Sequence, residues 1–296
     1  MLTAEQIDGL CTSSKPRVDA LVAELKALGS ALVAFSGGVD SALVAKLAHD
    51  ALGDKAVAMT AVGPAVPEEE AEAARDFTRA LGMQHVFIES HELADERYAN
   101  NPTDRCYFCK TELYSITGRE AQKLGLAAVL DGFNADDFKD HRPGHRAARE
   151  HEVLSPLAKA GLSKDEVRAW SKRLGLSTWD KPQLACLASR LPYGTPVTAQ
   201  RLNQVGRAEQ GLKKLGLRIF RVRYHGDVAR LEIDANELPR LFDSDFRRAV
   251  DSAVKASGFT FVAIDLEPFR SGRLNDALRN GGGMALPVLS SARVSS

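Results

Sequence analysis

Six consecutive residues, Ser36-Gly37-Gly38-Val39-Asp40-Ser41, carry the clearest chemistry in this 296-residue chain. Two adjacent glycines let the backbone turn tightly and bring several N–H groups towards one anion. Ser36 and Ser41 add hydroxyl donors, and a helix starting near Ser41 would add the positive end of its dipole. Asp40 could hold a magnesium ion or a backbone turn. The segment is not the ordinary P-loop, because the Gly-Lys-[Ser/Thr] ending is missing. The plain alternative is a glycine-rich turn that packs a helix on a strand.

The cysteines form the second constellation. Asp104-Arg105-Cys106-Tyr107-Phe108-Cys109-Lys110 places two thiols three residues apart, close enough to ligate one metal centre. A zinc ribbon would need a second such pair, and none exists. Cys186 stands 77 residues further on, between Lys181-Pro182 and Ser189-Arg190, where the sequence reads as a connection between domains. Three thiolates could hold three irons of a [4Fe–4S] cluster and leave the fourth open. Spacing alone equally allows Cys186 to be an ordinary buried thiol. Cys11 precedes the first expected helix in a polar stretch and is read as incidental. Lys110, beside the pair, could neutralise substrate or ATP charge or could be a surface lysine.

The elements that must position these groups follow from periodicity. Val18, Leu21, Val22, Leu25 and Leu28 recur at helical spacing. The apolar run 31–35 suits a buried parallel strand, and Leu43, Val44 and Leu47 begin the helix after the glycine loop. A strand near 57–60, a helix over 68–81, a strand near 85–89, a helix after Cys109 and a strand ending at Leu130 continue the alternation. That pattern predicts an α/β domain with a parallel sheet covered on both faces. Pro192, Gly194 and Pro196 mark a connection, after which the pattern changes. A helix over 198–215, strands over 218–224 and 228–233 with a His225-Gly226-Asp227 turn, further helix and a strand over 259–266 predict a smaller α+β domain. The expected boundaries are 1–190, 191–280 and a mobile tail over 281–296.

Composition sets outer limits. Lys+Arg and Asp+Glu are both 39, so net charge gives no hint of a nucleic-acid partner. From Thr195 onward there are 16 basic and 11 acidic residues, an excess of +5, which suits a small anionic ligand better than a phosphate backbone. No apolar run approaches the roughly 20 residues needed to cross a bilayer, and the first residues lack the pattern of a secretory signal. A cytoplasmic protein with reduced thiols is expected.

SGGVDS resembles the signature of the PP-loop pyrophosphatases, which cleave ATP between the α- and β-phosphates. This implies an adenine nucleotide alpha hydrolase-like (HUP) sheet domain. Further motifs narrow the resemblance: Asp131-Gly132-Phe133-Asn134-Ala135-Asp136-Asp137, His141-Arg142-Pro143-Gly144, Ser155-Pro156-Leu157, Cys186-Leu-Ala-Ser189-Arg190-Leu-Pro192-Tyr193-Gly194, Arg221-Val-Arg223-Tyr-His-Gly226 and Asp265-Leu-Glu-Pro-Phe-Arg270-Ser-Gly272. Together they resemble the ATP-dependent sacrificial sulfur transferases called LarE, over nearly all of residues 16–280.

The resemblance implies sulfur transfer in the biosynthesis of a nickel-pincer cofactor. ATP and magnesium adenylylate a carboxylate of pyridinium-3,5-biscarboxylic acid mononucleotide, and a sulfur nucleophile displaces AMP to leave a thiocarboxylate. Some members consume one cysteine as donor; others carry three and use a [4Fe–4S] cluster. Cys106, Cys109 and Cys186 resemble the three-cysteine kind. The resemblance further implies roles for Ser36, Gly37, Gly38, Asp40 and Ser41 at ATP, for Arg190, Arg221 and Arg223 at the mononucleotide phosphate, and for Glu209 and Glu232 near substrate or magnesium. It implies a homo-oligomer without membrane or nucleic-acid partner. Arg221 and Arg223, two apart on an expected strand, would face one side and could grip a phosphate. Asp137 and Arg142 carry the motif without a derivable role. The alternative is an iron–sulfur PP-loop tRNA thiolase, which predicts a broad basic face. A nucleotide sensor would predict loss of loop residues, and an ammonia-using synthetase would not need three thiols.

Overall fold

Ala31–Ala34 contains no polar side chain, and in the computed structural model it forms the buried strand β1. The structure describes residues 2–139, 144–182 and 185–276. The expected tail at 281–296 and the motif residues His141, Arg142 and Pro143 therefore lie outside the described residues. By packing, the chain divides into two units. The first comprises residues up to 188 together with 197–203; the second comprises 189–196 with 204 onward.

In the first unit, α1 (Ala4–Leu28) precedes β1 and α2 (Val39–Leu52) follows it. Then come β2 (Ala56–Val62), α3 (Glu68–Leu81), β3 (Gln84–Glu89), the short α4 (Glu96–Ala99), α5 (Arg105–Lys123) and β4 (Ala128–Leu130). Helices α6 (Gly144–Glu150), α7 (Pro156–Lys159) and α8 (Lys164–Arg173) complete it. The four strands are parallel in the order β3-β2-β1-β4. Alternate side chains of β1 serve two cores: Ala31 and Val33 pack with α1, α2 and α8, while Leu32 packs with Ala121 and Ile116 of α5. Both faces are covered, which is why the strand reads as an unbroken apolar run.

This order makes β1 a switch point: the chain leaves it towards β2, and β4 returns on its other side. Open α/β sheets bind ligands outside the carboxyl ends of the strands at such a point. The carboxyl ends here are Ser36–Ser41 after β1 and Asp131-Gly132 after β4.

Two local readings of the sequence need correction. Helix α1 starts at Ala4, under a capping box in which Thr3 and Gln6 bond each other's backbone N–H, so Cys11 lies within it. Cys11 is fully buried and its thiol pKa is raised by burial; it is a core residue, which the polar neighbours of this helix's outer face concealed. Helix α5 starts at Arg105, before the cysteine pair. Cys106 and Cys109 thus stand in its first turns at a spacing that puts them on one face.

The second unit contains the C-terminal part of α9 (Ala199–Lys214), β5 (Phe220–His225), β6 (Val228–Ile233), α10 (Ser244–Lys255) and β7 (Phe261–Ile264). Its sheet has the order β5-β6-β7, antiparallel then parallel. Registers Phe220↔Ile233, Val222↔Leu231 and Leu231↔Ile264 put apolar residues on one face, largely buried. Arg221↔Glu232 and Arg223↔Arg230 occupy the other. The strand expected over 259–266 is shorter, and Phe261 and Ile264 are exposed.

Candidate functional site

The loop after β1 is built from backbone first. Gly37 takes φ +71°, a conformation that other residues rarely adopt. The Ser41 hydroxyl accepts from the Ser36 N–H at 3.2 Å, lies 3.1 Å from the Ser36 hydroxyl and donates to the Gly38 carbonyl at 3.3 Å. Gly38 caps α2 without a side-chain hydrogen bond, so the first-turn N–H groups point out of the helix end past a residue that has no side chain. That is the arrangement that receives an anion. On the far side a Cβ on Gly132 would sit 2.7 Å from the Ser41 nitrogen. The Asp131-Gly132 turn is therefore pressed against the start of α2.

Cations reach this loop from far along the chain. Lys181 Nζ donates to the Gly37 carbonyl at 3.0 Å and to Glu70 at 2.6 Å. Lys164 Nζ bonds Asp40 at 2.5 Å, and Asn134 donates to the other Asp40 oxygen at 3.0 Å. Asp40 is thus already held by a lysine and an amide. Asp137, whose role the sequence left open, accepts from the Asn134 N–H at 3.0 Å, and Asp136 accepts from the Lys164 N–H at 2.8 Å. The Asn134–Asp137 motif is the hub that brings Lys164 to the loop. Lys164 gave no sequence signal, because its partner lies 124 positions away.

The three thiols are the second part of the first unit's site. Cys106 and Cys186 are exposed and Cys109 is half-buried. Crowding raises the Cys106 pKa, and the Cys186 charge raises it further, while Arg105 and Lys110 oppose both. Burial pushes Cys109 well up, followed by the charges of Glu92 and Cys186. The structure therefore brings Cys186 into electrostatic reach of both members of the pair. Among the described residues, no group of three His, Cys, Asp or Glu side chains is gathered tightly enough to form a ready metal site.

Around the thiols lie residues that sequence reasoning passed over. Glu92 is buried, with its pKa raised by burial against hydrogen bonds from Cys109 and from Tyr98, whose hydroxyl donates to it at 3.1 Å. Lys110 Nζ lies 5.4 Å from the centre of the Tyr114 ring and 5.7 Å from that of Phe133. Tyr114 donates to the buried Asp131 at 2.9 Å; burial raises the Asp131 pKa, and the Lys110 charge is among the forces opposing it. Lys110 thus spans the space between the thiols and the Asp131-Gly132 turn beside the loop.

The second unit gathers the remaining candidates on the polar face of its sheet. Arg190 grips Glu209 through two bonds of 2.8 Å, both residues being almost fully buried. Glu209 also accepts from the Val222 N–H at 3.1 Å. Burial works to raise its pKa, but the Arg190 charge and these bonds hold it below the usual carboxylate value. Arg223 bonds Glu232 at 2.7 Å and the Ser189 carbonyl at 2.8 Å. Arg230 and Arg273 join through Glu232 and Asp265. Arg221 donates to the Phe220 carbonyl and lies over the Phe269 ring; burial, then the neighbouring Arg190 charge, lowers its pKa to about 10. Arg221 and Arg223 do share one face. Five guanidiniums (190, 221, 223, 230 and 273) against Glu209, Glu232 and Asp265 leave an excess of +2, suited to an anion.

Comparison with known proteins agrees with this picture. Residues 13–104 match the family model described as NAD synthase. The chain is 44% identical to an uncharacterized protein of Synechocystis sp. over 251 residues, which are 85% of this chain and 94% of that one. It is 40% identical to the pyridinium-3,5-bisthiocarboxylic acid mononucleotide synthase of Lactiplantibacillus plantarum over 262 residues, 87% of this chain and 93% of that enzyme. One component of the glutamine-hydrolyzing GMP synthase of Methanocaldococcus jannaschii is 30% identical over 183 residues, 55% of this chain and 56% of the relative.

Proposed function

The chain belongs to the family of the pyridinium-3,5-bisthiocarboxylic acid mononucleotide synthase, and we propose that it performs the reaction of that enzyme's class, ATP-dependent sulfur transfer to a pyridinium mononucleotide carboxylate. A substrate carboxylate oxygen attacks the α-phosphorus of ATP, and pyrophosphate leaves as the acyl adenylate forms. A sulfur nucleophile then adds to the activated carbonyl and expels AMP, giving the thiocarboxylate. Carboxylates are poor electrophiles, and adenylylation supplies the leaving group that sulfur needs. The observation that carries the reading is the presence, in one unit, of an anion-binding loop and three neighbouring thiols.

In this reading the backbone of Ser36–Ser41 receives the pyrophosphate portion of ATP, with Lys181 and Lys164 adding positive charge beside it. Asp40, shared between Lys164 and Asn134, is the carboxylate available to magnesium. Lys110 offsets charge on the reacting carboxylate. Arg221 and Arg223, supported by Arg190, Glu209 and Glu232, receive the mononucleotide phosphate through guanidinium forks.

The donor set fits an iron–sulfur cluster: three thiols within reach of one another's charge, two of them exposed. Cys106, Cys109 and Cys186 would hold a [4Fe–4S] cluster, and such a cluster would supply the transferred sulfide. Assembly into a homo-oligomer belongs to the same reading, supported by Phe242, Phe261 and Leu266 of the second unit, which are exposed apolar residues. A cytoplasmic location belongs to it too, and among the described residues no helix is long and apolar enough to cross a membrane.

The test is incubation with ATP, magnesium and the biscarboxylate mononucleotide, following pyrophosphate and the thiocarboxylate by mass spectrometry. Anaerobically reconstituted wild type and Cys186→Ala are compared for iron and sulfide content. A colourless wild type whose Cys186 loses the mass of one sulfur during turnover would replace the cluster with sacrificial chemistry. Absence of pyrophosphate release would remove the reading altogether.

A further inference from the structure

Arg105 stands immediately before Cys106 and is almost fully buried, which is unusual for a guanidinium. It donates through Nη1 to the side-chain oxygen of Asn101 and to the Ala188 carbonyl at 3.0 Å. Asn101 is itself fully buried and has φ +54°, an uncommon conformation for a residue other than glycine. Ala188 lies 83 positions away, two residues past Cys186. One side chain therefore ties the start of the helix that carries Cys106 and Cys109 to the backbone that follows Cys186.

We propose that Arg105 is a positioning residue for the sulfur centre, holding the Cys186 segment within reach of the Cys106/Cys109 pair. Two backbone bonds, Leu187 N–H to the Ala65 carbonyl at 3.1 Å and Val197 N–H to the Ala99 carbonyl at 2.7 Å, attach the flanks of that segment. Neither reaches the helix that bears the thiols; Arg105 does. Burying a guanidinium is costly unless its bonds are well made. A neutral side chain would fill the same space without that cost. The cation also faces the site, since its charge is felt by Cys106 and by the Glu92 carboxyl.

The proposal rests on the three-thiol reading of the sulfur centre, and its test separates the two. Dibromobimane joins thiols that lie close together, and Cys106–Cys186 linkage is read by peptide mass spectrometry without ATP or substrate. Wild type should cross-link readily. Loss of a charge-assisted bond of about 1.5–3 kcal/mol should slow linkage in Arg105→Gln by about tenfold or more, with Arg105→Lys in between. The same Arg105→Gln protein should retain pyrophosphate release while thiocarboxylate formation falls, a split that general destabilisation would not produce. If Arg105→Gln does not fold, Arg105→Lys carries the test through its linkage rate and the same split. Wild-type linkage and transfer rates in a folded Arg105 variant would overturn the proposal. Arg105-dependent linkage in a protein that never forms thiocarboxylate would uphold it while removing the functional reading.

Discussion

The loop of the first unit and the arginine face of the second both suit anions, but they are built in opposite ways. The loop offers backbone N–H groups held by a left-handed glycine and two serine hydroxyls. Its lysines are partly exposed and each is shared with a carboxylate, Lys164 with Asp40 and Lys181 with Glu70. The arginine face is made of side chains, and Arg190 and Arg223 are buried in close ion pairs. Backbone donors are fixed by the fold and cost little to keep. Buried guanidiniums hold their places only while their carboxylates remain. The first site should therefore be sensitive to backbone geometry and the second to the loss of a partner charge.

The largest effect should come from geometry. Gly132→Ala would place a methyl group 2.7 Å from the Ser41 nitrogen. A displacement of the loop by even 1 Å should lower pyrophosphate release by about 100-fold, measured at saturating ATP. Unchanged release would mean that the loop does not depend on the turn pressed against it.

Removing Glu209 tests the other region. Glu209→Gln leaves the buried Arg190 without its counter-charge and should cost about 3–5 kcal/mol in urea unfolding. The double variant Arg190→Met/Glu209→Leu should recover most of that loss, because two apolar groups replace two charges. Failure to recover would show that the pair itself, and not its desolvation, supports the sheet.

Lys181→Met should have a smaller and differently placed effect. Loss of its bond to the Gly37 carbonyl should reduce pyrophosphate release by about tenfold, with a smaller stability loss than Glu209→Gln. An equal stability loss would erase the contrast between the two regions.

Acid should sharpen it most gently. His85 lies between the hydroxyls of Thr60 and Thr78, each 2.8 Å away, and burial followed by the Arg75 charge lowers its pKa to about 4. The unfolded chain takes up that proton near pH 6.5, so the His85 contribution is complete above that value and fades as pH falls towards 4. Glu209 is shifted below its ordinary value of 4.5, so its contribution is present above that value and is lost only at lower pH. Thermal melts from pH 7 to 5 should fall in wild type and fall less in His85→Gln. Equal falls would sink this assignment.

The sequence made some of this legible for definite reasons. β1 and the glycine loop are local features, as are the paired arginines, whose period-2 spacing β5 keeps. The start of α5 was misplaced because Asp104 makes no side-chain cap, and the polar first residues of the helix carry little apolar period. Cys11 was misjudged because its neighbours in the chain are polar while its neighbours in space are not. Lys164, Glu92 and Arg105 escaped for one shared reason: each acts on a partner that only the tertiary fold brings near.

That distance has a consequence in time. Ser36–Ser41 leaves the ribosome early, yet its carbonyl and carboxylate partners, Lys164 and Lys181, are encoded 124 and 144 positions later. At about 5–20 residues per second, the nascent loop waits roughly 7–30 s for the lysine that bonds Gly37. A chain released before that point would display the whole nucleotide signature and still lack the cations beside it.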